Sequence, residues 1–525
     1  YNTIERKNVL FKPMEQGKVS VYTCGPTVDR PLHVGNYRRF VSADILCRYL
    51  EYRKLSVNHV VNITDLDDKT IQGSEKAGIS LEDFTDFHFH RFKNELEQLS
   101  IREAQAYPRV SDHVDGMVRL ASSLTDKGAA YEKLNSLYFD ISTLPSYGSL
   151  SGVDLNKIRV GATVDLDDYE KDNPRDFTLL KRVGLSELKR GLCINTRWGN
   201  VRPSLHLQCA AISTIFLGEQ FDIHTGSREL LFPHHENEVA ISLAATGKPP
   251  ARYWMHCDSV HYDDAASDCE GIHNNNGQSE KDCLEKLTLP RLSEMGWEPR
   301  VIRFWLLSTH YRKPLVLSRK ALDDAKLSLA KLDRCIHSLV RKAGSPEGLP
   351  DNGVPGNGVP GNGVPGNGVP GNGVPGNGVP GNGAPGNFAP GNGAPGNGAP
   401  ANGARSQEME QMIYDLRHGF STAMDDDFKI SGVLAVLFQG VKNLNRLMDE
   451  GQLDPPSASL FLDLFREMDS VLKIFDFTPR HELSKKAEDI MERREAARQS
   501  KNWEEADSLR EELLSMGIEI HDGKL

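Results

Sequence analysis

The sequence predicts an α/β protein, with a parallel nucleotide-binding sheet in its N-terminal half and an α-helical bundle in its C-terminal half. Residues 19–23 have the alternating pattern of a strand, residues 35–52 have a helical pattern, and residues 56–63 have the pattern of a second strand. A strand, a helix and a strand in such close succession form the crossover that joins parallel strands. Farther along the chain, apolar residues recur at the helical period in three segments: residues 317–342, 409–448 and 458–475.

These patterns divide the chain into several parts. The pattern is less regular between residues 120 and 200, which we expect to be an insertion between two halves of the sheet domain. The helical segments are expected to pack as one antiparallel bundle that a linker interrupts. The predicted division is residues 1–119 and 201–300 for the two halves of the sheet domain, 120–200 for the insertion, 301–345 and 405–478 for the split bundle, 346–404 for the linker, and 479–525 for a small helical C-terminal domain.

The predicted linker contains a repeat. Residues 352–404 repeat the unit Asn-Gly-Val-Pro-Gly, which drifts to Asn-Gly-Ala-Pro-Gly. Pro-Gly in each unit favours turns, and the segment has almost no apolar side chains to bury. The repeat resembles elastin-like sequence, so we predict a disordered tether without chemistry. Because a longer flexible loop adds little closure entropy, the helices that flank it can still pack together.

The composition excludes several classes of protein. The chain has 525 residues, a net charge of −11 and 8 cysteines that are widely scattered. No apolar run approaches the roughly 18 residues that a membrane helix needs, and the first residues lack a signal-peptide pattern. A membrane protein and a secreted disulfide scaffold are therefore excluded, and we expect a cytoplasmic protein. The acidic charge excludes a polybasic nucleic-acid coat but leaves local basic patches open.

A first polar motif follows the first predicted strand. The stretch Cys24-Gly25-Pro26-Thr27 ends that strand, and His33-Val34-Gly35-Asn36 stands at the start of the next helix. A helix N-terminus favours phosphate through its backbone N–H groups and its dipole, and a glycine there lets a nucleotide approach the backbone closely. The pattern His-x-Gly-Asn is short, so by itself it indicates only a candidate phosphate site.

A second motif is Phe232-Pro233-His234-His235-Glu236-Asn237-Glu238. If this stretch is helical, His234 and Glu238 lie four residues apart on one face and suit one Zn²⁺, whereas His235 and Glu236 point elsewhere. The alternative is a polar helix start after a proline, where glutamate is favourable in any case. A third candidate, Cys209, lies in an apolar stretch in which a cysteine is ordinarily part of the core.

Together the three motifs resemble the cysteinyl-tRNA synthetases, a family of class I aminoacyl-tRNA synthetases. The resemblance runs nearly end to end, and its matches follow the order of the family. It implies a class I Rossmann-like catalytic domain with an insertion, an α-helical bundle that binds tRNA, and a small C-terminal helical domain for the anticodon region. The other matching stretches are residues 62–69, which begin Asn-Ile-Thr-Asp, residues 308–315, which begin Ser-Thr-His-Tyr, residues 423–428, which begin Ala-Met-Asp-Asp, and residues 503–518, which begin Trp-Glu-Glu-Ala.

For the site, the resemblance implies one zinc ion per chain. Zinc prefers thiolate, so the side chain of a substrate cysteine would be a further ligand, and serine would lack that bond. The implied zinc ligands are Cys24, Cys209, His234 and Glu238. The resemblance also assigns the phosphates of ATP, with Mg²⁺, to His33, Gly35 and Asn36, and it assigns the amino acid to Gly25, Thr64 and Leu205.

The implied reaction is that of a cysteine–tRNA ligase. ATP activates L-cysteine to cysteinyl-adenylate with release of pyrophosphate, and the cysteinyl group is then transferred to the terminal ribose of tRNA(Cys). The chain's task is mostly positioning and charge stabilisation, in which His33 and Asn36 take part. The expected partners are therefore tRNA(Cys), L-cysteine and ATP, with no membrane, and we expect a monomer.

The sequence departs from the family at the second phosphate loop, Lys-Met-Ser-Lys-Ser. A longer polar segment, residues 258–277, stands before it, and alignment on residues 287–289 puts Gln278-Ser279-Glu280-Lys281-Asp282 over the loop. Lys281 is then the retained lysine, and we assign it to ATP binding and catalysis. Losing one preorganised charged contact costs about 3–4 kcal/mol, so activation would be slow unless a lysine from elsewhere substitutes. Leu205 and Glu229 also differ from the family's tryptophan and aspartate.

Two other functions remain open at this point. One is a paralogue that binds tRNA or cysteine without activating the amino acid, which the altered phosphate loop favours. The other is a ligase that transfers cysteine to a small amine. The retained bundle and C-terminal domain argue against this last function, because in the family they contact tRNA.

Overall fold

The computed structural model describes residues 1–154, 171–262 except 172 and 174, 286–344, 400–478, and 485–515 except 501. The strands are β1 (Lys18–Thr23), β2 (Ser56–Val61), β3 (Ala130–Lys133), β4 (Ser136–Phe139), β5 (Phe177–Arg182), β6 (Ile194–Thr196), β7 (Gly199–Pro203), β8 (Phe221–Ser227), β9 (Ala251–Cys257), β10 (Val260–Tyr262) and β11 (Leu315–Leu317). The first helices are α1 (Val34–Tyr52), α2 (Asp68–Ala77), α3 (Leu81–Gln98), α4 (Val114–Asp126), α5 (Leu185–Lys189), α6 (Leu205–Leu217) and α7 (Glu236–Thr246). The later helices are α8 (Leu289–Glu294), α9 (Pro299–Leu307), α10 (Arg319–Ala343), α11 (Pro400–Asp425), α12 (Ile430–Asp449), α13 (Pro455–Leu472), α14 (Lys485–Gln499) and α15 (Trp503–Ser515).

The predicted parallel sheet is present. Its strand order is β2-β1-β8-β9, each neighbouring pair is parallel, and α1 makes the crossover from β1 to β2. The carboxyl ends of β1 and β8 are adjacent in this order, and such an edge is where ligands bind in open α/β sheets. The prediction of an α/β fold is therefore confirmed, and the first two sequence motifs emerge at that edge.

The insertion is more regular than its sequence pattern indicates. It contains a second sheet of five antiparallel strands in the order β3-β4-β5-β7-β6. These strands are only 3 to 6 residues long, so their alternation is too short to stand out in the sequence. The sheet extends past residue 200 to Pro203, and Ser204 then caps α6 by accepting a hydrogen bond from the backbone N–H of Leu207. This connection carries the chain from the insertion to Cys209.

The bundle consists of α10 to α13, with two differences from the sequence prediction. The helical period over residues 409–448 belongs to two helices, because Asp427 and Phe428 adopt left-handed backbone conformations between α11 and α12. Helix α11 begins at Pro400, so the prediction that residues 400–404 belong to a disordered linker is wrong. Proline is well tolerated at a helix start because its missing N–H is not needed there. Residues 346–399 of the predicted linker lie outside the described residues.

A buried arginine joins the bundle to the sheet domain. Arg303 of α9 is fully buried, and it donates to Asp44 of α1 at 2.6 Å and to the backbone carbonyls of Leu472 and Leu99 at 2.7 and 2.9 Å. Apolar side chains of α1 and of the bundle share one core. Helix α1 is thus in contact with both the site edge and the bundle. In the described part of the chain, no helix combines the length and apolarity needed to cross a membrane.

Candidate active site

Four side chains that could hold a metal ion converge at the carboxyl edge of the parallel sheet. Cys24 directly follows β1, His234 and His235 precede α7, and Glu238 lies in its first turn. Their ligand atoms all lie within 4.8 Å of one another. The Sγ of Cys24 is 3.5 Å from Nε2 of His234 and 3.6 Å from Oε1 of Glu238. We call these residues, together with Cys209, the thiol–histidine cluster.

Cys209 enters the cluster from α6. Its Sγ accepts a hydrogen bond from the Cys24 thiol over 3.8 Å. That hydrogen bond and the nearby His234 lower the pKa of Cys209 to about 6, whereas burial raises the pKa of Cys24. The pair therefore favours one thiolate and one thiol. Cys209 is buried, as a core cysteine would be, but its sulfur also contacts the sulfur of Cys24.

His234 and Glu238 form a buried pair with altered titration. The Nε2 of His234 is 3.0 Å from Oε1 of Glu238, as their spacing on one helical face predicts. Burial alone would raise the pKa of Glu238, but His224 and His234 lower it to about 2. Burial alone would lower the pKa of His234, but Cys209 and Glu238 raise it to about 10. The carboxylate and the imidazole therefore stabilise each other's charged form.

The prediction that His235 points away from the site is wrong. Its Nε2 is 3.3 Å from Cys24 Sγ. The prediction assumed a regular helix, but residues 231–235 form a wider turn with a non-helical residue at Phe232, and α7 begins only at Glu236. Glu236 does point elsewhere, because it accepts hydrogen bonds from the backbone N–H groups of Gly148 and Ser151. In this irregular turn, helical spacing predicts the contact of His234 with Glu238 but not the direction of His235.

A second ring of histidines orients the cluster. Nε2 of His224 is 3.0 Å from Oε2 of Glu238, and Nδ1 of His206 is 2.9 Å from Nδ1 of His234. On the other side, His256 Nε2 is 2.8 Å from His235 Nδ1. The sequence analysis missed all three residues, because they come from different elements. Their only sequence signal is that they are histidines within otherwise apolar segments.

The candidate phosphate site is the N-terminus of α1. His33 is the residue before this helix, and its backbone N–H donates to Oδ1 of Asn36 at 3.2 Å. A Cβ added at Gly35 would lie 3.1 Å from the His33 ring, which is tighter than ordinary contact. The loop after β1 closes against β2, since Thr64 N–H donates to the carbonyl of Pro26. The structure therefore brings His33, Gly35 and Asn36 together beside that loop.

Gly25 and Leu205 differ sharply in their surroundings. A Cβ at Gly25 would lie 1.5 Å from the backbone oxygen of Asn62, so only glycine fits there. Leu205 is 38% exposed and lines a cleft next to His206. The predicted amino-acid residues Gly25 and Thr64 thus lie in the loop region beside the cluster, and Leu205 lies on its outer side. Lys281 and residues 263–285 around it lie outside the described residues.

Comparison with known proteins covers nearly the whole chain. Residues 10–327 match the family model of the tRNA synthetases class I (C) catalytic domain, residues 419–476 match the DALR domain, and residues 480–525 match the cysteinyl-tRNA ligase anticodon binding domain. A cysteine–tRNA ligase from Methanosarcina mazei is 35% identical over 524 residues, which is 100% of this chain and 97% of that protein. One from Chlamydia muridarum is 32% identical over 100% of this chain and 97% of its own length.

Solved structures give the same class of fold. A methionyl-tRNA synthetase from Mycobacterium tuberculosis, in complex with methionyl-adenylate, superposes with a TM-score of 0.53 at 13% identity, covering 87% of this chain and 90% of that one. A leucyl enzyme (LeuRS) from Agrobacterium radiobacter, in a ternary complex, has a TM-score of 0.55 at 12% identity over 88% of this chain and 85% of that one. The fold is that of the class I aminoacyl-tRNA synthetases.

Within that class, the sequence matches point to a single specificity. The chain belongs to the cysteine–tRNA ligase family. The family resemblance and the enzyme class predicted from the motifs are therefore confirmed.

Proposed function

We propose that the protein is an ATP-dependent cysteine–tRNA ligase that recognises its amino acid at a zinc ion held by Cys24, Cys209, His234 and Glu238. The observation that carries the proposal is the convergence of two cysteine sulfurs, an imidazole and a carboxylate at the carboxyl edge of the sheet. The full-length similarity to cysteine–tRNA ligases supports the same function.

The separations from the Cys24 sulfur to the other three proposed ligand atoms fit a tetrahedral zinc ion. With Zn–S distances of about 2.3 Å and Zn–N or Zn–O distances of about 2.1 Å, two sulfur ligands lie about 3.8 Å apart, and a sulfur lies about 3.6 Å from a nitrogen or oxygen. The matching separations are 3.8 Å for Cys24–Cys209, 3.5 Å for Cys24–His234 and 3.6 Å for Cys24–Glu238. The His234–Glu238 separation of 3.0 Å is shorter than the corresponding edge of about 3.4 Å, as suits a direct hydrogen bond.

Selectivity for cysteine follows from this donor set. When bound, zinc would stabilise the thiolate of the substrate, which serine cannot supply. His224 and His206 would hold Glu238 and His234 in their ligand orientations through the hydrogen bonds described above. Such outer partners fix the tautomer and direction of metal ligands. Gly25, Thr64 and Leu205 would surround the rest of the amino acid.

Activation takes place between this cluster and the N-terminus of α1. There His33, Gly35 and Asn36 would hold the phosphates of ATP with its Mg²⁺, aided by the helix dipole, and Lys281 would reach them from the second phosphate loop. A carboxylate oxygen of cysteine attacks the α-phosphorus, and pyrophosphate leaves. The ribose hydroxyl of tRNA(Cys) then attacks the carbonyl carbon of the adenylate, and AMP leaves.

The tRNA would be held by the bundle and the C-terminal domain. The DALR and anticodon-binding matches support tRNA(Cys), rather than a small amine, as the acceptor. The contact of Arg303 with Asp44 keeps the bundle in a fixed position relative to α1. We propose that the protein acts as a monomer in the cytoplasm, where tRNA charging supplies translation.

The test is cysteine-dependent exchange between ATP and pyrophosphate, followed by charging of tRNA(Cys), with L-serine as the matched amino acid. We expect exchange with cysteine and none with serine, and we expect loss of exchange in Lys281→Ala. Exchange that survives Lys281→Ala would keep the ligase but refute the role of Lys281. A folded, zinc-containing protein without any exchange would instead be a binding paralogue.

A further inference from the structure

Arg39 is a cation in the site region to which the mechanism above gives no role. It lies on α1, three residues after Asn36 and four after Gly35, and therefore on the helix face that carries the candidate phosphate site. Its Nη2 donates to the backbone carbonyl of Gly25 at 3.2 Å, and its Nε is buried without a partner. Within the described part of the chain, Arg39 makes no other hydrogen bond and no ion pair.

The neighbouring Arg38 provides the contrast. Arg38 is fully buried, and its two terminal nitrogens donate to four backbone carbonyls, those of Asp258, Ser259, His310 and Lys313. The Nε atoms of both arginines are buried without partners, so the difference lies in the terminal nitrogens. The terminal nitrogens of Arg38 hold loops together through these hydrogen bonds. Arg39, in contrast, makes one hydrogen bond from its terminal nitrogens, to the Gly25 carbonyl.

Electrostatic interactions with neighbouring groups help to keep Arg39 charged. The groups that interact with its charge are the thiols of Cys24, Cys257 and Cys209 and the carboxylate of Glu229. Burial disfavours the charged guanidinium and lowers its pKa, while those groups oppose the shift. Because Arg stays protonated in proteins, the arrangement is a partly desolvated cation whose direct contacts are the Gly25 carbonyl and the Phe40 ring, 4.8 Å from the guanidinium carbon. A bound carboxylate or phosphate would complete it, since the planar fork of Arg matches both.

The position of Arg39 indicates which anion it would bind. Gly25, which binds the guanidinium, directly follows Cys24 of the cluster, while Gly35 and Asn36 lie one turn earlier on the same helix face. A cysteine whose sulfur is held at the cluster and an ATP held at the start of α1 must meet between these points. We propose that Arg39 binds the carboxylate of the substrate cysteine and then the α-phosphate of the adenylate. This inference rests on the proposed function and adds a residue to it.

The role is electrostatic. As the carboxylate oxygen forms its bond to the α-phosphorus and the bond to pyrophosphate breaks, two anions are brought together, and Arg39 reduces their repulsion without transferring a proton. It thereby supplies a positive charge near the reacting atoms in a chain whose predicted alignment puts Gln278 at the first lysine of the family's loop. The cation that would compensate for the missing loop lysine is therefore an arginine of α1 and not another lysine.

The test compares binding of L-cysteine with binding of cysteamine, which has the thiol and the amine but lacks the carboxylate. In zinc-loaded full-length protein, we expect Arg39→Gln to weaken cysteine binding by about 10- to 100-fold, the usual effect of a lost charge-assisted hydrogen bond, without weakening cysteamine binding. Arg39→Lys should retain part of the preference for cysteine. Arg53→Gln is the matched control, because Arg53 ends the same helix and pairs with Asp425 at the surface.

Three outcomes would overturn the inference. Equal weakening of cysteine and cysteamine, or loss of zinc in Arg39→Gln, would mean that Arg39 only supports the Cys24 loop. Unchanged cysteine binding in Arg39→Gln would remove the role altogether. A wild-type protein that neither binds cysteine nor catalyses exchange would overturn the proposed function as well, which separates that failure from a failure of Arg39 alone.

Discussion

Two buried polar assemblies in this molecule differ in whether they offer a place for a ligand. Around Arg303, the guanidinium has the Asp44 carboxylate and backbone carbonyls as partners, and Asp44 also accepts from Arg48 and from the backbone N–H of Arg102. In the thiol–histidine cluster, thiol, imidazole and carboxylate atoms that could ligate a metal lie within 4.8 Å of one another. The first assembly is complete without a ligand, whereas the second has donors that suit an added cation.

This difference provides a criterion that separates buried charges with a structural role from those with a functional role. A buried ion pair whose hydrogen bonds are all made by the protein holds elements together, and its removal leaves an uncompensated charge. A convergence of soft and anionic donors, by contrast, can also accept a metal cation among them. The same reasoning separates Arg38 from Arg39. The following experiments test this comparison, beginning with the largest expected effect.

Breaking the complete assembly should cost the most stability. Asp44→Ala removes the carboxylate partner of Arg303, and we expect the free energy of unfolding to fall by about 3–5 kcal/mol, as when one partner of a buried pair is lost. Denaturant unfolding followed by circular dichroism measures the change. Arg53→Gln is the control, because the Arg53–Asp425 pair is about half exposed and should contribute about 1 kcal/mol or less. Equal effects in both variants would contradict the structural role of the Arg303–Asp44 pair.

Substitution in the thiol–histidine cluster should lower zinc affinity more than it lowers the stability of the fold. Cys209→Ser replaces a thiolate ligand, so we expect zinc affinity to fall by more than the roughly 10- to 100-fold that follows loss of an outer partner. Zinc content after dialysis against a chelator measures this. Cys335→Ser is the control, since Cys335 is buried in α10 of the bundle, away from the cluster.

Equal zinc loss in Cys209→Ser and Cys335→Ser would refute Cys209 as a ligand. A second contradictory result is also possible. His235→Ala could lower zinc content while Cys209→Ser does not, and the ligands would then be Cys24, His234, His235 and Glu238, whose donor atoms also converge.

The smallest effect is expected in the second ring. His206→Phe keeps a ring against Phe177, 5.7 Å away between centroids, but removes the nitrogen that contacts His234. We expect zinc affinity to fall by about 10- to 100-fold with little change in unfolding. His113→Phe is the control, because His113 packs edge-on against Phe216 outside the cluster. Unchanged zinc affinity in His206→Phe would mean that His234 needs no partner to be oriented.

Much of the architecture could be predicted from local pattern. The first strand, the crossover helix and the second strand have strong periodicity, and their bounds agree within a few residues, with β2 ending at Val61 instead of residue 63. The insertion sheet could not be predicted in this way, because its strands are short and pair with strands distant in the sequence. The break at Asp427 and Phe428 was hidden because both flanking helices keep the same apolar period.

The α/β class and the crossover at the first motif follow from the sequence alone, and the resemblance adds the family and the residue types of the proposed zinc site. Packing between elements places His235 beside Cys24 and His206, His224 and His256 around the cluster, and it gives the terminal nitrogens of Arg38 four carbonyl partners but those of Arg39 one. The physical reason is that periodicity reports which face of an element is buried. The partners of a buried polar group come from several elements, and their distances exist only once those elements have packed.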